Sequence, residues 1–110
     1  MDNCIFCKIR DRIIQKDFTY EDENVMVFPD LNPLKEIHLL IVPKKHITDF
    51  SNLIDNNITN LLREVVQKMI VKEKLEDKGY RITINGGGAQ IINHLHIHLL
   101  GPLGKNVKSY

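Results

Sequence analysis

A chain of 110 residues has room for one domain and one site, since domains most often run to about 100 to 150 residues. With 43% hydrophobic and 26% charged residues its composition is globular, which excludes a disordered or collagen-like chain. Fifteen Lys and Arg against 14 Asp and Glu leave a formal charge of +1, so there is no basic field for a nucleic-acid backbone and no nucleic-acid partner is expected.

In chain order, Ile5, Phe6, Ile9, Ile13 and Ile14 are spaced like one face of a short helix over 4–14, followed by a turn into an extended segment. Residues 18–21 and 25–28 are β-rich and flank Asp22-Glu23-Asn24, which predicts a hairpin. Pro29 and Pro33 fence a short loop carrying Asp30, and a strand over 37–42 is stopped by Pro43. From about Asp55 to Asp77 the apolar residues Ile58, Leu61, Leu62, Val65, Met69 and Ile70 keep the helical period, with Asp55 or Asn56 as N-cap and Gly79 beyond the end. Strands are expected over 81–85 and 91–100, joined by Gly86-Gly87-Gly88 and closed by Gly101-Pro102. The last eight or so residues read as loosely held. The pattern is a single α+β domain over 1–110 with an antiparallel sheet and a core at about 4–101. No apolar run approaches the roughly 20 residues of a membrane span, and Met1-Asp2-Asn3-Cys4 is not the basic start of a signal peptide, so a cytoplasmic protein without a membrane partner is expected.

Chemistry concentrates in the cysteines and histidines. Cys4 and Cys7 form one C-x-x-C, which in a reducing compartment is a metal half-site, a redox pair or two small hydrophobes. Only three residues precede Cys4, which leaves no room for the strand that a thioredoxin-like motif follows. The five histidines are His38, His46 and the run His94-Leu95-His96-Ile97-His98. On a strand, alternate side chains share a face, so the run would present three imidazoles on one side and Leu95, Ile97 and Leu99 on the other. Such a row suits a metal centre, a proton relay or pH switch, or nucleophilic catalysis, besides a hydrogen-bonded polar face without chemistry. The preceding Gly86-Gly87-Gly88-Ala89-Gln90 can bring backbone N–H groups close to an anion, although such a turn is more often only a turn.

His94-Leu95-His96-Ile97-His98-Leu99-Leu100 fits the histidine-triad motif, His-φ-His-φ-His-φ-φ with φ apolar, and the chain resembles the histidine triad (HIT) family. Ile5-Phe6-Cys7-Lys8-Ile9, Tyr20-Glu21-Asp22-Glu23, Phe28-Pro29-Asp30-Leu31, His38 through His46 and Lys78-Gly79-Tyr80-Arg81 extend the likeness to the Hint branch over residues 4 to about 101. The resemblance implies a HIT-like α+β fold, a five-stranded antiparallel sheet with one long and one short helix. It also implies a homodimer that joins two such sheets.

By the same resemblance, the middle histidine attacks the α-phosphorus of a purine nucleotide, and water hydrolyses the nucleotidyl-histidine. Hint-like proteins are similar to phosphoramidases that cleave the P–N bond of nucleoside 5′-phosphoramidates to the monophosphate and an amine. His96 would be the nucleophile, His98 the proton donor to the leaving group and His38 a supporting group. Asp30 would take the ribose hydroxyls, its alternative being a plain turn residue before Asn32-Pro33. Ile5, Phe6, Ile9, Ile14, Phe28 and Leu31 match a purine slot, Asn85 another nucleotide contact, and Gly88, Gln90 and Ile91 the phosphate turn. Ile91 departs from the serine or other polar residue usual there. Cys4, Cys7, His46 and His94 match the structural zinc ligands of bacterial members, and no organic cofactor is implied. Other branches imply hydrolysis of dinucleoside polyphosphates or aminoacyl-adenylates, and a nucleotide-binding scaffold with residual catalysis is the non-enzymatic alternative.

Overall fold

The computed structural model describes residues 3–108. Its order is α1 (Ile5–Arg10), β1 (Tyr20–Glu21), β2 (Val25–Pro29), β3 (Ile37–Pro43), a 3-10 turn at Phe50–Asn52, α2 (Asn56–Lys72), β4 (Arg81–Thr83) and β5 (Ile97–Gly101). The strands form one antiparallel sheet in the order β1-β2-β3-β5-β4, the five-stranded sheet with one long and one short helix that the family resemblance implies.

Both faces of this sheet are covered, which is why β2 and the Leu39–Val42 stretch of β3 read as apolar runs without alternation. Val25, Val27, Leu39, Ile41, Ile97 and Leu99 pack on Leu62, Val65, Val66, Met69 and Ile70 of α2. Met26, Phe28, Leu40 and Val42 turn the other way, onto Phe6 and Ile9 of α1. Strand alternation thus sends Val25, Val27, Leu39 and Ile41 to the long helix and Met26, Phe28, Leu40 and Val42 to the short one.

Both helices stop earlier than their apolar spacing predicts. Helix α1 ends at Arg10 because Arg12 takes a left-handed φ of 65°. Its guanidinium is held by Glu21 at 2.6 and 2.8 Å and lies 5.0 Å over the Phe18 ring. Helix α2 starts as expected, with Asp55 Oδ1 accepting from the N–H groups of Asn57 and Ile58. It closes at Lys72 in a Schellman arrangement: Lys74 has φ 58°, Leu75 N–H donates to Ile70 O, and Lys74 N–H donates to Val71 O. The buried Leu75 side chain supplies the hydrophobic contact of that motif. Gly79 serves a different turn. A Cβ there would lie 1.8 Å from Gly104 O, and the backbones are tied by Leu103 N–H to Gly79 O and Gly104 N–H to Lys78 O. Residues 103–105 are therefore anchored, with Lys105 also bonded to Asp77 at 2.6 Å. The strand expected over 81–85 is limited to Arg81–Thr83, and the one expected over 91–100 runs only from Ile97 to Gly101. No helix among the described residues is long and apolar enough to cross a membrane.

Candidate functional site

Register places the histidines. Antiparallel pairing sets Leu40 opposite His98, His38 opposite Leu100, and Phe28 opposite Leu40, so Phe28, Leu40 and His98 run across the α1 face in one row. Alternation persists upstream of β5: Leu95 joins Ile97 and Leu99 in the core under α2, while His94 and His96 lie against Phe6 of α1, with ring centroids 5.6 and 5.1 Å away. The three imidazoles therefore share a face, although the first two precede the regular strand.

They do not share an environment. A cleft of about 250 Å³ is lined by His96 and His98 together with Ile5, Phe6, Ile9, Phe28, Asp30, Leu31, Asn85 and Ile91 among the residues expected there. Pro29, Asn32, Leu40, Ile92 and Lys16 complete it. Leu40 enters through its pairing opposite His98, a register that the sequence reading did not give, and Lys16 carries no sequence signal. Ile14 sits outside the wall, beside Arg12 and Asp17. Gln90 is buried in a structural clamp: its Oε1 accepts from Gly88 N–H at 2.9 Å and its Nε2 donates to Thr48 O at 3.3 Å. Asp49 Oδ2 accepts from Gly87 N–H at 3.0 Å, so the glycine turn is fastened to the 48–49 segment on both sides.

Hydrogen bonding fixes the tautomers of the cleft histidines. A carbonyl only accepts, so the 2.8 Å contact of His96 Nδ1 with His94 O puts the hydrogen on Nδ1 and leaves Nε2 with its lone pair. Leu34 N–H donates to His38 Nδ1 at 3.1 Å, so His38 carries its hydrogen on Nε2 and donates to His98 Nδ1 at 2.9 Å. His98 must then carry its hydrogen on Nε2, the single buried side-chain polar atom without a partner among the described residues. Asp30 Oδ2 stands 3.4 Å from His38 Nε2 and 4.0 Å from His98 Nδ1. Burial, followed by the neighbouring His96 and His38, holds His98 below the usual imidazole range, with Asp30 acting in the opposite sense.

His94 belongs elsewhere. It is fully buried, donates from Nε2 to Pro43 O at 2.7 Å, and turns Nδ1 to His46 Nδ1 at 3.1 Å, Cys4 Sγ at 3.3 Å and Cys7 Sγ at 3.6 Å. Cys7 Sγ is also 3.3 Å from His46 Nδ1, and all four donor atoms lie within 4.8 Å of one another. Bonds of about 2.0 to 2.3 Å to a tetrahedral ion give edges of about 3.3 to 3.8 Å, so the four residues fit a possible metal site with two sulfurs and two nitrogens. Burial pushes His94 down to about 4, which keeps the imidazole neutral and able to ligate. Burial and the adjacent Cys4 raise the Cys7 thiol, a trend that a bound cation reverses.

Comparisons with known proteins place this antiparallel sheet with its two helices beside the fold of known hydrolases. The family model described as scavenger mRNA decapping enzyme C-term binding matches residues 3–108. An uncharacterized HIT-like protein of Methanocaldococcus jannaschii is 40% identical over 99 residues, covering 88% of this chain and 77% of that protein. Protein HitA of Neisseria gonorrhoeae is 38% identical over 105 residues, covering 92% and 97%. Among solved structures, a HIT family hydrolase from Clostridium thermocellum superposes with a TM-score of 0.90 at 36% identity, covering 100% of this chain and 99% of that one. A histidine triad protein from Clostridium difficile gives 0.86 at 38% identity, covering 100% and 96%. The chain belongs to the histidine triad (HIT) family.

Proposed function

We propose that this HIT protein is a Hint-like purine nucleoside 5′-phosphoramidase acting through a nucleotidyl-histidine on His96. The observation that carries the reading is the bond from His96 Nδ1–H to His94 O, which leaves the Nε2 lone pair on a residue lining the cleft. A neutral imidazole fixed in this tautomer is a competent nucleophile near neutral pH without a separate base. Nε2 attacks the α-phosphorus and forms a P–N bond as the bond to the amine breaks. His98, carrying its hydrogen on the unpartnered Nε2, gives that proton to the departing nitrogen. At that moment His98 must be the imidazolium, a form favoured by the substrate's phosphate anion and by Asp30, to which the His38 Nε2–H can turn across 3.4 Å. Water then breaks the histidine–phosphorus bond and releases the monophosphate.

Phe6, Ile9 and Phe28 would hold the purine, and Asp30, whose Oδ1 also accepts from Asn32 N–H, keeps lone pairs for the ribose hydroxyls. Cys4, Cys7, His46 and His94 would hold a structural zinc ion, whose chemistry is to cross-link α1 to the segments before α2 and β5. A homodimer joined along the free outer edge of β4, where Ile82 is half exposed, completes the proposal; light scattering on the purified chain tests it. The activity is tested by giving the protein a purine nucleoside 5′-phosphoramidate and a dinucleoside polyphosphate side by side. Faster release of monophosphate from the first is expected, and cleavage of the second alone would move the protein to another branch.

A further inference from the structure

The cleft has an unassigned cation at one end. Lys16 lines it, in the extended segment between α1 and β1, with Nζ 5.3 Å from the centroid of the Phe28 ring. It is the one lysine or arginine on the cleft wall, and none of the ion pairs among the described residues includes it. Phe28 and His98 are separated by Leu40 in the same row of the sheet, two strand spacings or about 10 Å. With a nucleotide's phosphorus at His96 and His98, its ribose spans that distance and its base arrives over Phe28, beside the Lys16 ammonium rather than the phosphate.

An ammonium offers three donors and no acceptor. The edge of a purine that carries N7 shows two acceptors in guanine or hypoxanthine, O6 and N7, but in adenine it shows N7 next to the N6 amino donor. We propose that Lys16 selects the base, donating to O6 and N7 of a 6-oxopurine, so that the cleft takes guanosine-type nucleotides in preference to adenosine-type ones. The surrounding wall of Phe6, Ile9, Phe28 and Ile92 offers little competing polarity, and a charge-assisted hydrogen bond in such surroundings discriminates more strongly than one in water. This inference rests on the nucleotide reading above.

Titration calorimetry with GMP and AMP against the whole protein, Lys16→Ala and Lys16→Gln tests it, since a partly exposed loop lysine is replaceable without loss of the fold. The native chain should bind GMP about tenfold more tightly than AMP. Lys16→Ala should equalise the two by weakening GMP alone. Lys16→Gln should favour AMP, because a carboxamide matches the N7 and N6 pattern of adenine, an inversion that a merely structural lysine would not produce. Equal affinities in the native chain, or equal losses of both nucleotides in Lys16→Ala, would overturn the assignment, the second by placing the ammonium on the phosphate. Either result in a protein that still turns over phosphoramidate leaves the reaction reading intact. No binding of either nucleotide would overturn both.

Discussion

Two groups of histidines, a few ångströms apart, use one side-chain chemistry for opposite ends. His46 and His94 turn Nδ1 inward to two sulfurs, and His94 is locked from behind by Pro43 O. His38, His96 and His98 use Nδ1 for protein contacts as well, but in His96 and His98 this leaves Nε2 uncommitted at the cleft. The difference lies in what surrounds each ring. A closed set of four donors satisfies every lone pair and suits a structural ion, whereas a ring pinned on one side keeps a nitrogen for chemistry. The groups meet at His94, whose side chain serves the cluster and whose carbonyl orients His96, and at α1, where Cys4 Sγ accepts from Cys7 N–H while Phe6 packs on His96.

The largest effect that would break this division is at His96. His96→Ala should lower kcat/KM on a phosphoramidate by at least about 10³-fold while nucleotide binding, followed by calorimetry, persists. Next comes His38→Phe, which leaves His98 Nδ1 without its donor; kcat should fall by roughly 10- to 100-fold with KM little changed, as for a misplaced catalytic group. In the other group the pattern reverses. If the four donors hold the proposed zinc, Cys4→Ser or treatment with a chelator should lower Tm by about 8 °C or more and kcat by less than about threefold, seen by calorimetry and elemental analysis. A Cys4→Ser protein with native Tm but lost turnover would merge the two groups.

The smallest effect is in pH. Because the folded value of His98 lies below that of a free imidazole, the folded chain binds fewer protons than the unfolded one as pH falls. Its contribution to stability is complete above about pH 6.5 and is lost on acidification through and below that point. Denaturant midpoints of the native protein should thus fall below pH 6.5 more than those of His98→Gln. Equal slopes would show that His98 is not desolvated.

Much of this is legible in the sequence. The hairpin around Asp22, the β3 strand closed by Pro43 and the Asp55 cap follow from local rules, and alternation alone sorted Leu95, Ile97 and Leu99 from the histidines. The ends of elements were less legible because they depend on left-handed residues without glycine: nothing in Arg12 or Lys74 announces a positive φ. The gathering of Cys4 and Cys7 with His46 and His94 was available only through family resemblance, since partners 39 to 90 positions apart leave no local pattern. Gln90 differs again: its place beside a glycine turn is legible in the sequence, but the bonds from its carboxamide to Gly88 N–H and Thr48 O are not, because Thr48 is distant in the chain. Lys16 was invisible because an isolated lysine in an extended segment resembles any surface residue.

Covalent nucleotidylation of His96 is tested by mass spectrometry after an alkaline quench, because the histidine–phosphorus bond survives base and is lost in acid. After brief mixing with a guanosine 5′-phosphoramidate and peptide mapping at alkaline pH, a guanylyl adduct is expected on the peptide carrying His96, localised to that ring and absent from His96→Ala. Turnover with no adduct at the earliest quench times, or an adduct on His38 or His98, would contradict it.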